Sequence, residues 1–125
     1  MKNLINEITQ SLLAVADAQK AKSKQRFFKT GKGEYGEGDI FIGVSVPQQR
    51  AIAKQFQKDC TKKDVIALLD SPIHEERLTG VFILVDKFNK SLKSNQEQVA
   101  FLTWVHLLRT LLLRHKEFSF SMSYL

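Results

Sequence analysis

Apolar residues recur at every third or fourth position along most of this chain, which is the spacing of amphipathic helices. The first such pattern consists of Leu4, Ile5, Ile8, Leu12, Val15 and Ala16. It predicts a helix from about Asn3 to Lys22, and the basic turns that follow allow a short second helix over residues 25–30. The glycines between Gly31 and Gly38 then end any regular helix, because ordering glycine costs the most backbone entropy.

Residues 40–46 carry a different pattern, in which every second side chain is apolar. Taken alone, this period of two predicts a short strand over residues 40–44. The sequence contains no second comparable run to pair with it, and a lone strand leaves its backbone donors and acceptors unsatisfied. We therefore do not expect a sheet.

The helical spacing returns after this stretch. Pro47 suits the first position of a helix, where its missing N–H would be unpaired in any case. It predicts a third helix that is capped by Ser45 or Val46 and ends near Lys58, with Ile52 and Phe56 on its inner face.

Two further helices follow from their opening signals. Thr61 and Asp64 have the spacing of a capping box and predict a fourth helix that ends at Asp70. Ser71-Pro72 predicts the start of a fifth helix. The apolar residues expected to face inward are Val65, Leu68 and Leu69 in the fourth helix, and Val81, Leu84, Val85 and Phe88 in the fifth.

The last apolar stretch follows a second capping-box pattern, Ser94 to Glu97, and is apolar around most of its circumference. It runs from Val99 to Leu113, shorter than the roughly 18 residues of a membrane span, so it predicts a buried helix. About six helices joined by short connections predict an all-α chain, with residues 1–125 forming a single domain.

Composition places the chain in the ordinary globular class: 43% of its residues are hydrophobic and 26% are charged, which excludes disordered and disulfide-rich classes. Cys60 is the only cysteine, so an intramolecular disulfide and a cysteine-rich zinc site are also excluded. The N-terminal residues have no secretory signal pattern. These observations predict a cytoplasmic protein.

Net charge is +6, and six basic residues lie between Lys20 and Lys32 without an intervening acid. Such a segment creates a local positive field and favours a polyanionic partner. The alternative is a lysine-rich face that is merely solvated, as in many proteins without such a partner.

Two segments resemble one known family. The first is Phe27-Phe-Lys-Thr-Gly-Lys-Gly-Glu-Tyr-Gly-Glu-Gly-Asp39, followed by the pattern Phe41-x-Gly-Val-x-Val-Pro47-x-x-Arg50. It is similar to the N-terminal part of the DNA alkylation repair family of helical-repeat DNA glycosylases. The second segment, Leu68 to Arg77, resembles the family's next helical hairpin, so that the resemblance covers residues 1–92 and residues 93–125 diverge from it.

The resemblance implies a stack of HEAT-like helix pairs whose concave basic face lies along duplex DNA. It also implies excision of purines alkylated at N3 or N7, without a cofactor. Such bases already carry a positive charge and leave readily. The reaction therefore mainly requires a carboxylate that stabilises the developing sugar cation and positions a water.

In the family that carboxylate belongs to a Trp-Asp motif, which this sequence does not carry. Its one tryptophan, Trp104, is followed by Val105 and His106. No residue is therefore assigned as catalytic, and we expect excision by this chain to be weak or absent. The pattern suggests a truncated family member, with a shifted reading frame after about residue 100.

Matching positions predict contacts to the DNA backbone from five residues, which are Lys29, Lys32, Ser45, Gln48 and Arg50. The start of a helix offers N–H donors and a favourable dipole to a phosphate. For Ser45 and Gln48 an ordinary helix cap is an equal alternative. Tyr35 either stacks on a sugar or base or holds its loop against the helices, and the second alternative is the favoured one.

The three histidines lie on separate segments without the paired spacing of a metal site, so none is predicted. A second function remains open, a non-catalytic interaction module that forms a homodimer through its apolar C-terminal helix. A repeat stack that ends early exposes an apolar face, and such faces associate.

Overall fold

The computed structural model describes residues 3–34, 36–91, 99–100 and 102–106, and these are helical for the most part. Five helices are α1 (Leu4–Ala14), α2 (Ala18–Phe27), α3 (Val46–Phe56), α4 (Lys62–Leu69) and α5 (His74–Ser91). Residues 99–100 and 102–106 are helical as well. No strand occurs in these ranges, which confirms the all-α prediction, whereas the repeat arrangement stays a prediction. The chain divides into two compact units, Met1–Asp86 and Lys87–Leu125.

The first helix ends earlier than its apolar pattern predicts, and a new helix begins within the predicted one. The Asp17 carboxylate accepts hydrogen bonds from the N–H groups of Gln19 (2.9 Å) and Lys20 (3.1 Å), so it caps α2. Its own N–H donates to the carbonyl oxygen of Gly43 at 3.0 Å. The predicted helix to Lys22 and the predicted separate helix over residues 25–30 are therefore wrong. Tertiary hydrogen bonds to Asp17 interrupt the first helix, and α2 begins directly after that residue.

The alternating stretch forms no sheet, as expected. Ile40 makes one isolated parallel bridge with Ile73, and the His74 N–H donates to the Ile40 carbonyl at 2.8 Å. This bridge also explains why α5 begins at His74 rather than at the predicted Ser71-Pro72. Ile73 takes part in the bridge, and Ser71 and Pro72 precede it outside the helix.

The capping box predicted at Thr61 and Asp64 is present, and the cap predicted at Ser45 or Val46 is formed by Ser45, in a capping box with Gln48. Ser45 and Gln48 cap α3, and Thr61 and Asp64 cap α4. These interactions are local in sequence, so the pattern alone was enough to find them.

The core of the first unit joins α1 to α3 and α4. Its fully buried side chains include Ile8 and Leu12 of α1, and Ala53, Val65, Leu68 and Ile83. In α5, however, Val85 is 42% exposed although the pattern placed it inside. The buried positions include Glu75, Glu76, Thr79, Gly80 and Ile83. Polar and small residues dominate that face, so apolar periodicity could not reveal it.

Several predictions concern residues outside the described ranges, namely the cap at Ser94–Glu97, Tyr35 and the tail after His106. Within the described ranges, no helix has the length and apolar character needed to cross a membrane.

Candidate nucleic-acid interface

The basic residues of α2 fall into two rows instead of one face. Lys20 and Lys24 are four positions apart, as are Lys22 and Arg26, and residues four apart lie on the same side of a helix. Each position turns the helix by about 100°, so the two rows point in different directions. Lys20, Lys22 and Arg26 are exposed, while Lys24 is partly buried.

Lys24 is turned inward by two oxygen acceptors. Its Nζ donates to the carbonyl oxygen of Val44 at 2.5 Å and lies 3.8 Å from the carboxylate of Glu75. The side chain is 26% exposed, and the Glu75 side chain is fully buried. Lys24 therefore ties α2 to the segment before α3 and contributes less positive charge to the surface than the sequence suggests.

Glu75 is the centre of this attachment. Its Oε2 accepts hydrogen bonds from the N–H groups of Gly43 (2.8 Å) and Val44 (3.2 Å), and its Oε1 accepts one from Ile42 (3.1 Å). A carboxylate that loses all its water needs such donors, and charge-assisted bonds of this kind are about twice as strong as neutral ones. Glu75 thus fixes the three residues that lead into Ser45.

The segment also requires glycine at position 43. Gly43 has φ +84°, and a Cβ there would lie 1.9 Å from the carbonyl oxygen of Asp17. The close approach lets the Asp17 N–H reach the Gly43 carbonyl, so the start of α2 and the start of α3 are joined through backbone atoms.

A second carboxylate network lies beside the first. Asp39 accepts a hydrogen bond from Nη2 of Arg77 at 2.6 Å and is paired with Nδ1 of His74 at 2.9 Å. Burial raises the pKa of Asp39, but the hydrogen bonds from His74 and Arg77 outweigh it and hold the pKa below the ordinary value. Asp39, His74, Glu75 and Arg77 together are called the anchor network below, because they attach residues 39–44 to α5.

Aromatic rings extend this network toward α2. The ring of His74 stacks on Phe41 with centroids 4.4 Å apart, and Phe41 stacks on Phe28 at 5.2 Å. Phe27 meets Phe28 edge to face at 5.0 Å. The end of α2 is thereby attached to α5 through a continuous stack of rings.

Glycine-loop residues 29–38 follow α2, and Lys29 begins them in a left-handed conformation with φ 51°. Gly36 donates its N–H to the Lys29 carbonyl at 3.0 Å, and a Cβ at Gly36 would lie 2.4 Å from the Phe28 carbonyl oxygen. The turn therefore holds Lys29 and Lys32 on the surface, where both side chains are exposed.

The three residues predicted around the start of α3 differ in what their side chains do. The Ser45 Oγ accepts from the Gln48 N–H, and the Gln48 side chain accepts from the Ser45 N–H, so both serve the cap. Arg50 is exposed, and its guanidinium lies 4.9 Å from the ring centre of Phe82. The side chains of Lys29, Lys32 and Arg50 thus remain on the surface, whereas Ser45 and Gln48 shape the helix start.

The buried carboxylates are occupied by structural hydrogen bonds. Glu76 accepts from the hydroxyl of Thr9 at 2.6 Å and from the hydroxyl of Ser71, while Glu75 and Asp39 hold the anchor network. Among the residues that the structure describes, no group of three or more His, Cys, Asp or Glu side chains is arranged to hold a metal ion.

Comparison with known proteins gives the family. The model of the family described as "DNA alkylation repair enzyme" matches residues 8–113, which is most of the chain. The chain belongs to the DNA alkylation repair enzyme family. No curated protein and no solved structure matched it. The family suggested by the sequence is confirmed, although the match extends to residue 113, beyond residue 92 where the resemblance was expected to end. The matched range contains both the anchor network and the basic residues of α2.

Sequence reasoning missed four residues that this family member uses to build the surface. Lys24 is one basic residue among several in the sequence, and nothing in the pattern predicts the buried role of Glu75. Asp17 was placed inside a continuous helix, although aspartate before a basic amphipathic segment is an N-cap signal. Phe27 was noted only as part of the family pattern. Only the tertiary contacts distinguish these residues from their neighbours.

Proposed function

We propose that this chain binds duplex DNA without sequence preference through the cationic surface, defined as the exposed side chains of Lys22, Arg26, Lys29, Lys32 and Arg50. One observation supports the proposal above others: in a DNA repair family member, these cations lie on elements that a buried anchor network fixes to α5. Fixed cations contact phosphates with less ordering cost than cations on a mobile loop. Such contacts position a protein on DNA and read no base sequence.

The roles of the predicted residues divide accordingly. Lys29, Lys32 and Arg50 contact phosphate oxygens with their side chains. Ser45 and Gln48 keep the start of α3 in place through their mutual cap, and the dipole of that helix adds to the attraction of anions. HEAT-like pairing of α4 and α5 is part of the same proposal, because Leu68 and Leu69 lie against Gly80. Cytoplasmic location suits both the DNA ligand and the buried thiol of Cys60.

Salt dependence of binding tests the proposal. Each phosphate contact contributes about 0.9 to the slope of log K against log salt concentration. We expect Lys29→Gln with Lys32→Gln to weaken binding and to reduce the slope by about 2. Lys58→Gln with Lys63→Gln removes the same charge from exposed positions outside this surface and serves as the control. If the two double variants lose the same amount of DNA affinity, net charge alone drives binding.

The second part of the proposal is that this chain excises little or no alkylated purine. The family's Trp-Asp motif is not found in the sequence, and the buried Glu75 and Glu76 and the partly buried Asp39 are engaged in structural hydrogen bonds. Release of 7-methylguanine from alkylated duplex DNA is the measurement. Multiple turnover by the purified 125-residue chain would contradict this part and leave DNA binding untouched.

A second candidate function is self-association through the apolar helical segment near residue 100. Val99 is 65% exposed and Leu102 is 50% exposed, so this segment presents apolar surface. Sedimentation equilibrium at low and high salt separates the two functions, because an apolar interface hardly weakens with salt. A salt-resistant dimer that Leu102→Glu disrupts would support this candidate, and a monomer at every concentration would exclude it.

A further inference from the structure

Lys29 has an unusual backbone conformation for a residue with a side chain. Its φ is 51°, and in the described part of the chain every other residue with a positive φ is a glycine, namely Gly33, Gly38 and Gly43. A Cβ makes the left-handed region unfavourable, and the residues that tolerate it best after glycine are asparagine and aspartate. Lysine at this position therefore costs stability that glycine would retain.

The left-handed conformation follows from the way in which α2 ends. The N–H of Lys29 donates to the carbonyl oxygen of Arg26 at 3.3 Å, and the N–H of Thr30 donates to that of Gln25 at 3.2 Å. These two hydrogen bonds form a Schellman motif, the helix ending in which this position is usually glycine. The chain thus carries a lysine where the local geometry favours a residue without a side chain.

The helix dipole does not account for this choice. A cation is stabilised near the C-terminal end of a helix, but Lys24 and Arg26 already lie in the last turn of α2. The side chain of Lys29 is exposed, where water and salt screen the interaction with the dipole. The strain of a left-handed residue is typically larger than the dipole interaction of an exposed cation. Some other property of the lysine side chain must offset the strain.

The backbone that carries this side chain is fixed. The carbonyl oxygen of Lys29 accepts a hydrogen bond from the N–H of Gly36 at 3.0 Å. The hydroxyl of the next residue, Thr30, donates to the carbonyl oxygen of Gln25 at 3.1 Å and accepts from the Gln25 side chain at 2.9 Å. A cation on a fixed backbone loses less freedom when it contacts a phosphate than a cation on a mobile one.

We infer that Lys29 is kept at this position for its side chain, so that the fold gives up stability at the end of α2 in exchange for affinity for phosphate. Strained residues cluster at sites where the strain serves binding or catalysis, and substitutions that relieve such strain stabilise a protein at the expense of function. The inference rests on the proposed DNA binding. It goes beyond that proposal in giving Lys29 a larger contribution than its neighbour Lys32 and a cost in folding.

Three substitutions at position 29 separate the backbone conformation from the charge. Lys29→Gly removes both the strain and the charge, Lys29→Ala removes the charge alone, and Lys29→Arg keeps both. In thermal unfolding we expect Lys29→Gly to melt about 3 °C above Lys29→Ala and above the unaltered chain, because only glycine is unstrained there. In titrations with a short duplex of mixed sequence, Lys29→Gly and Lys29→Ala should lose about tenfold in affinity, while Lys29→Arg should retain most of it.

Lys32→Gly is the matched control. Lys32 is an exposed lysine of the same loop and is not among the residues with a positive φ. Glycine there relieves no strain and increases the freedom of the unfolded chain, so the melting temperature should not rise. The affinity for the same duplex should fall by about threefold, as expected for an exposed charge without this fixed backbone.

Three results would overturn the inference and leave the proposed DNA binding in place. They are a melting temperature of Lys29→Gly no higher than that of Lys29→Ala, an equal rise in Lys32→Gly, and a loss of affinity in Lys29→Gly no larger than in Lys32→Gly. Failure of the unaltered chain to bind the duplex at low salt overturns both. A Lys29→Gly chain that is more stable and binds more weakly, together with retained binding in Lys29→Arg, supports the inference.

Discussion

The anchor network and the cationic surface are both rich in charge, yet they place that charge in opposite environments. The carboxylate of Glu75 is fully buried and is met by three N–H groups and Lys24. Lys29 and Lys32, five and eight residues after Lys24, have exposed side chains. A buried charge with one partner removed is strongly destabilising, while an exposed charge contributes little to stability. The two regions should therefore respond to substitution in different measurements.

Glu75→Ala is expected to have the largest effect on folding. It leaves three buried N–H groups and the partly buried Lys24 without their acceptor, a loss of about 3–5 kcal/mol in the free energy of unfolding. Urea unfolding followed by circular dichroism measures it. Glu37→Ala, at an exposed acid of the glycine loop, is the control and should cost less than about 0.5 kcal/mol. Similar losses in the two variants would show that Glu75 is not the centre of the anchor network.

Gly43→Ala tests the backbone contact in the same region. Both Gly43 and Gly33 have positive φ, +84° and +83°, but a Cβ at Gly43 meets the Asp17 carbonyl whereas a Cβ at Gly33 meets nothing within 4 Å. Gly33→Ala should cost about 1–2 kcal/mol from strain alone. Gly43→Ala should cost about 3 kcal/mol or more, since the clash adds to the strain. If Gly43→Ala and Gly33→Ala lower the free energy of unfolding equally in thermal unfolding, the close contact between Gly43 and Asp17 does not contribute to stability.

Asp39→Asn should act on stability in a pH-dependent way. The pKa of Asp39 in the folded chain lies below its ordinary value of 3.8, so the ionised form stabilises the fold. That contribution is present above the unfolded pKa and is lost as pH falls through the folded pKa. We expect the variant to lose about 2 kcal/mol at pH 7, a difference that narrows below about pH 4. A loss of equal size at pH 7 and pH 3 would contradict the assignment.

Arg50→Ala should affect folding less than the substitutions in the anchor network, because its guanidinium is exposed over Phe82. A cation–π contact at an exposed site contributes about 0.5–1 kcal/mol. The same change should weaken DNA binding, which separates it from Glu37→Ala. Arg50→Lys keeps the charge and should retain most of the binding. Unfolding and DNA titration of the two variants give the comparison, and unchanged DNA binding in Arg50→Ala would remove Arg50 from the cationic surface.

The features of the fold that the sequence predicts correctly are determined by residues close together in the chain. The caps of α3 and α4 are formed by residues three positions apart, and the buried residues of α1, Ile8 and Leu12, repeat at helical spacing. The break at Asp17 was missed because its cause lies at Gly43, which is distant in the chain. The apolar pattern finds the inner face of α5 only in part: Val81 is buried as expected, whereas Glu75, Thr79 and Gly80 are buried without any apolar signal.

In the candidate site, too, the sequence predicts some roles, while others depend on contacts between residues distant in the chain. Lys29, Lys32 and Arg50 were predicted as surface contacts from the family pattern, and the structure does place their side chains on the surface. Lys24 could not be told apart from Lys20 and Lys22 by its type, since only the Val44 carbonyl and Glu75 give it a structural role. Likewise, the sequence placed two phenylalanines side by side without indicating that Phe28 lies within the ring stack and Phe27 stands outside it.

The sequence by itself determined the all-α class, the family and the concentration of positive charge before the glycine loop, because periodicity, motif and charge are properties of residues close together in the chain. Tertiary structure decided which charges are buried and which remain at the surface. A carboxylate such as Glu75 can be buried only where distant backbone N–H groups converge on it, and the same convergence fixes the elements that carry the exposed cations.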